Sequence, residues 1–90
     1  MIIVSQDKGK IINFDNMTQV YITFDEGDDD VCIRTETVDS LYEDLGYYKT
    51  GERAKEVLQE ITNSYLDCNV QNASTRYAYV KNIVYEMPTE

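Results

Sequence analysis

The chain has no histidine and no tryptophan, and only one proline, four glycines and two cysteines among 90 residues. Without histidine it lacks the side chain that most often serves as a general base near neutral pH. Two cysteines and no histidine give no zinc-ligand spacing. No nucleophile elbow or glycine-rich phosphate loop is present. Lysine and arginine together number eight and do not cluster, so direct binding to a nucleic-acid backbone is not expected. No run approaches the roughly 20 apolar residues of a membrane span. The opening Met1-Ile2-Ile3-Val4 is too short for a signal-peptide core and has no basic flank. These absences predict a cytosolic, non-enzymatic protein without metal or cofactor, its thiols Cys32 and Cys68 reduced.

What is present is acid. The net charge is −9, and residues 25–44 carry a net −8 of it: Asp25, Glu26, Asp28, Asp29, Asp30, Glu36, Asp39, Glu43 and Asp44 against Arg34 alone. Such a field repels nucleic acid and anionic membrane and attracts basic partners. A calcium loop started at Asp25 places Asp30 where an EF-hand requires glycine, so the run does not read as a cation site.

A chain of this length makes one domain, burying about 60–65% of the surface its unfolded form exposes. Its first half alternates with period two. Residues 1–5 and 10–14 read as short strands around a turn at Gln6-Asp7-Lys8-Gly9, where Gly9 suits a positive φ. In residues 19–24, Val20, Ile22 and Phe24 share one face, with Gln19, Tyr21 and Thr23 opposite. In residues 31–37, Val31 and Ile33 oppose Cys32, Arg34 and Glu36. Residues 41–48 read as a further strand with Leu41, Leu45 and Tyr47 on one face.

The period then changes. Thr50 suits an N-cap, and Ala54, Val57, Leu58, Ile61 and Tyr65 make an apolar stripe at helical spacing. The spacing predicts a helix over about 50–67, a polar loop at Cys68-Asn69-Val70-Gln71-Asn72, and a last strand over 76–86. The expected fold class is α+β: one antiparallel sheet of five or six strands packed against one helix.

Eight tyrosines in 90 residues read two ways. Some cap the core of a small domain that lacks tryptophan. Others, among Tyr21, Tyr42, Tyr48, Tyr77 and Tyr79, suit a partner surface, because a phenol buries much area and keeps a polar tip.

Met1-Ile2-Ile3-Val4-Ser5-Gln6-Asp7, Ile11-Ile12-Asn13-Phe14-Asp15-Asn16, Leu45-Gly46-Tyr47-Tyr48-Lys49-Thr50 and the helix opening Glu52-Arg53-Ala54-Lys55-Glu56-Val57-Leu58-Gln59-Glu60-Ile61 resemble small proteins of phages and mobile elements in Gram-positive bacteria. The resemblance covers about half the chain and brings no catalytic residues with it. It implies a bacterial or phage cytosolic setting. In that setting the acidic stretch predicts an anti-defence inhibitor, analogous to anti-CRISPR proteins, whose carboxylates stand in for phosphates in the basic groove of a host nuclease. Asp28, Asp29, Asp30, Glu36, Asp39, Glu43 and Asp44, with Tyr42 and Tyr48, are the expected contact residues. Two alternatives stand beside it. One is a homo-oligomer that sequesters an anionic nucleotide signal through Arg34, or through Arg76 with Tyr77 and Tyr79. The other is a self-associating module that pairs its last strand, as a homodimer.

Overall fold

The computed structural model describes residues 1–24, 30–74 and 84–90 and, within the helix, side chains up to residue 66. The chain runs β1 (Ile2–Val4), β2 (Ile11–Asn13), a 3-10 turn (Phe14–Asn16), β3 (Met17–Phe24), β4 (Val31–Thr37), β5 (Tyr42–Tyr48), α1 (Gly51–Ser74) and β6 (Val84–Glu86). Among the described residues the class is α+β with one helix. The strands form two sheets of three rather than one continuous sheet, in the orders β2-β1-β6 and β3-β4-β5. The break falls at Asp15-Asn16. The Asn13 side chain accepts from the Asp15 N–H and winds the chain through the 3-10 turn. β2 therefore ends after three residues and β3 starts a new sheet. The first sheet is mixed, because β6 returns parallel to β1.

β1 and β2 are joined through Asp7, whose carboxylate accepts from Ser5 Oγ at 2.6 Å and from Gly9 N–H at 2.9 Å. Those bonds hold its carboxyl below the usual carboxylate range. The residue of this turn with positive φ is Lys8, at 62°, and not Gly9.

In the second sheet β3, β4 and β5 form an antiparallel meander. Val31 and Ile33 face inward and are buried, as is Thr35, whose hydroxyl donates to the Gln19 carbonyl at 2.8 Å. Val20 and Ile22 pack on the same core, whereas Phe24, at the end of the edge strand, is 73% exposed.

β5 departs from simple alternation. Ile33 pairs with Gly46 and the next residue, Arg34, pairs with Asp44, so Leu45 is an extra residue in the strand. This bulge turns Leu45 into the core and leaves Asp44 and Tyr47 on the opposite face. The expected grouping of Leu41, Leu45 and Tyr47 on one face fails for this reason, and Leu41 is 68% exposed at the strand entrance.

Gln6 fastens the bulge to the first sheet. Its backbone N–H donates to the Leu45 carbonyl at 2.8 Å. Its side-chain amide accepts from the Tyr47 N–H at 2.7 Å and donates to the Tyr47 carbonyl at 2.8 Å, as a neighbouring strand would. The approach is close: a Cβ on Gly46 would stand 3.0 Å from the Gln6 Cβ and 3.1 Å from the Tyr48 hydroxyl oxygen.

Thr50 Oγ1 caps α1 by accepting from the Arg53 N–H at 3.0 Å. Ala54, Val57 and Ile61 are buried against Ile3, Ile33, Leu45 and Tyr48, with Tyr65 packed at the margin and meeting Phe14 edge to face at 5.6 Å. The helix continues past the expected end at 67 to Ser74. No glycine or proline lies between Gly51 and Ser74 to stop it. Of the expected strand over 76–86, Val84–Glu86 is strand, and the part before it lies outside the described residues. The last residues are packed against the domain. Met87 is buried and Tyr48 donates its hydroxyl to the Pro88 carbonyl at 2.8 Å.

Two substitutions test this packing. Ile61→Ala is expected to cost about 2–5 kcal/mol in urea unfolding, and Leu58→Ala, at a half-buried position, clearly less; equal losses would reject the helix register. Gly46→Ala is expected to cost about 1–3 kcal/mol by crowding Gln6 and Tyr48.

Candidate functional site

The outward face of the second sheet is a grid of nine side chains set by the strand register. Across β3, β4 and β5 its rows are Thr23–Cys32–Tyr47, Tyr21–Arg34–Asp44 and Gln19–Glu36–Tyr42. Alternation in β3 and β4 supplies the first two columns. The third exists because the Leu45 bulge puts Asp44 and Tyr47, three residues apart, on the same side.

Arg34 is the centre of the grid. Its Nε lies 2.6 Å from Asp44 Oδ1, and its guanidinium sits over the Tyr42 ring at 4.4 Å from the centroid. Asp44 also accepts the Tyr47 hydroxyl at 2.7 Å. The guanidinium foremost, and then this phenol, hold the Asp44 carboxyl below its ordinary range, and the same carboxylate drives the Tyr47 phenol up. Glu36 is held by other partners. Tyr21 donates to one oxygen at 2.7 Å and Gln19 Nε2 to the other at 2.9 Å, which lowers its carboxyl and raises the Tyr21 phenol. Cys32 is the buried member of the grid, a free thiol with no exposed surface, pushed up to about 11 by burial and then by Asp44.

The hairpin that ends this face is also ordered. Thr37 N–H donates to the Leu41 carbonyl at 2.8 Å and Ser40 N–H to the Thr37 carbonyl at 3.0 Å, with Ser40 at φ 64°. Its tip exposes Val38, Leu41 and Tyr42 beside Asp39.

The acids expected to form one contact surface are dispersed by the fold. Asp28 and Asp29 lie outside the described residues. Asp30 is a half-buried bend residue ahead of β4. Glu36 and Asp44 belong to the grid, Asp39 is exposed at the tip, and Glu43 points to Lys10, with its carboxylate 2.8 Å from the ammonium. Asp44 and Glu43 are thus neutralised locally by Arg34 and Lys10. Tyr42 is exposed, whereas Tyr48 is 1% exposed and belongs to the core, because the bulge aims it at Val31 and the helix. Arg76, Tyr77 and Tyr79 lie outside the described residues.

Sequence reasoning missed Tyr47 as a member of the face and Gln6 as its support, and it placed Gln19 on the face without naming it as a contact residue. Gln19 was legible, since it shares its parity with Tyr21. A cavity of about 380 Å³ opens between Asp30, Tyr47, Tyr48, Lys49, Arg53, Thr89 and Glu90, two bases facing two acids. Its Arg53 is already committed, to Glu56 at 3.1 Å and to the Glu90 carbonyl at 3.0 Å. Among the described residues no group of three or more acids, cysteines or histidines is placed to hold a metal ion, and no helix is long and apolar enough to cross a membrane. No protein-family model matches the chain, and no curated protein or solved structure matches it either.

The tyrosines give a titration signature. Tyr47 and Tyr85 are raised by Asp44 and by burial respectively, and burial pushes Tyr48 up to about 12. A phenol raised above its unfolded value contributes stability that is complete below about pH 10 and is lost as pH climbs through the folded values. Absorbance titration is therefore expected to show a late-ionising group of tyrosines, with denaturant stability falling above about pH 10. All tyrosines ionising together near 10, with unchanged stability, would contradict the described hydroxyl contacts.

Proposed function

We propose that this chain is a non-enzymatic binding protein that presents the outer face of β3–β5 and the β4–β5 tip to a basic protein surface. In a bacterial host cell it would occupy the nucleic-acid groove of a defence protein such as a CRISPR nuclease. The observation that carries this reading is the concentration of charge: a net −8 in residues 25–44, spanning the strand and hairpin that build the face. Exposed Val38, Leu41 and Tyr42 supply the apolar contact that charge alone does not. The resemblance of the opening and helix segments to phage and mobile-element proteins supports the setting.

The titration pattern also favours binding over acid–base chemistry. Among the described residues each displaced group moves away from neutrality: Asp7, Glu36 and Asp44 down, Lys10, Cys32 and the phenols Tyr21, Tyr47, Tyr48 and Tyr85 up. A catalytic acid or base is tuned the opposite way, toward the working pH.

The dispersal of the acids narrows the mimic. With Asp44 and Glu43 held by Arg34 and Lys10, the mimic would rest, among the described residues, on Glu36 and Asp39. A small anionic ligand is the second reading; the cavity offers it Lys49 and Arg53, but Asp30 and Glu90 in the same lining oppose an anion. Self-association is the third; β6 stands at the end of the order β2-β1-β6, and Val84 is 54% exposed.

DNA cleavage by purified bacterial defence nucleases, CRISPR nucleases included, tests the first reading. The wild type is expected to inhibit at least one of them at low salt and to weaken as salt rises, because screening shortens the field. Asp28→Asn, Asp29→Asn, Asp30→Asn and Asp39→Asn combined are expected to reduce inhibition at least about tenfold, mainly through slower association. Inhibition equal in variant and wild type, at low and high salt alike, would remove the mimicry reading. A thermal shift with a cyclic nucleotide would promote the second.

A further inference from the structure

We infer that the outer face of β3–β5 reads arginine, and that the partner enters it with guanidinium groups on Tyr42 and Glu36. This rests on the binding reading above and names the chemistry the partner must bring.

The face already contains one solved instance of the problem. Arg34 places its guanidinium carbon over the Tyr42 ring, 4.4 Å from the centroid, and at the same time donates from Nε to a carboxylate, Asp44, at 2.6 Å. That combination is available to a planar, forked cation and not to a compact ammonium, which cannot stack and fork together. Tyr42 remains 58% exposed, so the ring side that Arg34 does not cover is open to a second cation.

Beside that ring, on the same face, stands its cross-strand partner Glu36, at the spacing where opposed side chains meet. Glu36 is held in place by Tyr21 and Gln19, one on each oxygen. Each carboxylate oxygen accepts more than one hydrogen bond, so both keep capacity for the two parallel donors of a guanidinium. The orienting bonds also fix the carboxylate before the partner arrives, which lowers the entropy lost on binding. Tyr42 and Glu36 thus offer an incoming arginine what Tyr42 and Asp44 offer Arg34. The charge of the whole chain favours the same occupant, since a net −9 attracts cationic segments.

Two synthetic peptides of equal length and charge, one with arginine and one with lysine at alternate positions, test this by isothermal titration with the full chain. The wild type is expected to bind the arginine peptide about threefold or more tighter than the lysine peptide, the range a single exposed stacking contact supports. Tyr42→Leu and Glu36→Gln are each expected to bring the two affinities together, and Tyr42→Phe to keep the preference, because it keeps the ring. Circular dichroism of each variant checks that the sheet is intact. Equal affinity for both peptides in the wild type would overturn the arginine assignment while leaving an acidic binding surface standing. A preference that survives both Tyr42→Leu and Glu36→Gln would place arginine recognition elsewhere and overturn it too. Binding of neither peptide would overturn both this inference and the basic-partner reading.

Discussion

The architecture depends on one extra residue in β5. Leu45 has no partner on β4, and its insertion reverses the parity of everything beyond it. On the inner side this sends Leu45 and Tyr48 together into the core against Ala54, Val57 and Ile61. On the outer side it brings Asp44 and Tyr47 to one face, with Arg34 between the strands. β5 is an edge strand, so its outer backbone groups have no neighbouring strand, and here Gln6 satisfies three of them, with its N–H on the Leu45 carbonyl and its amide on both polar groups of Tyr47. The same amide donates to the Thr89 carbonyl at 3.1 Å. The first sheet, the end of the chain and the bulge are therefore joined at one side chain.

The outer face shows how an acidic sequence carries charge without tearing its own sheet apart. Like charges set side by side on neighbouring strands destabilise a pair. In the grid, Asp44 and Glu36 are separated by Arg34 and by hydroxyl and amide donors, so each carboxylate is stabilised as an anion by a group that is not acidic. The phenols serve twice here, as hydrogen-bond donors to carboxylates and as flat apolar surface. That double use gives the tyrosine excess a physical reason in the described part of the chain: Tyr21 and Tyr47 steady acids, Tyr42 supports a guanidinium, and Tyr48 fills the core.

Much of this was legible in the sequence. Period-two alternation placed Gln19, Tyr21, Arg34 and Glu36 on one face and Val20, Ile22, Val31 and Ile33 on the other, because β3 and β4 hold regular register through that stretch. The stripe Ala54, Val57 and Ile61 located the helix face. What was not legible came from interactions distant in sequence. A bulge is a register fact between two strands, so residues 41–48 by themselves could not show that Leu45 and Tyr47 part company. The division into two sheets follows from a 3-10 turn that Asp15-Asn16 announces only as a turn. The burial of Met87 was not legible because the core it joins is made by residues far away in the chain, Ile3 and Val57 among them. The acidic stretch appeared as one patch in the sequence, and the fold assigns its members to a bend, a grid, a hairpin tip and an ion pair.

The central claim is that the Leu45 bulge places Asp44 and Tyr47 on one face in direct contact. A double-mutant cycle with Asp44→Asn and Tyr47→Phe measures that contact as a coupling energy in urea unfolding. The bulged strand predicts a coupling of about 0.5–1.5 kcal/mol in favour of the wild-type pair, the range of one hydrogen bond to a charged, partly exposed group. Additive effects of the two substitutions, with no coupling, would mean that the side chains stand on opposite faces, as a regular strand would hold them, and would contradict the account.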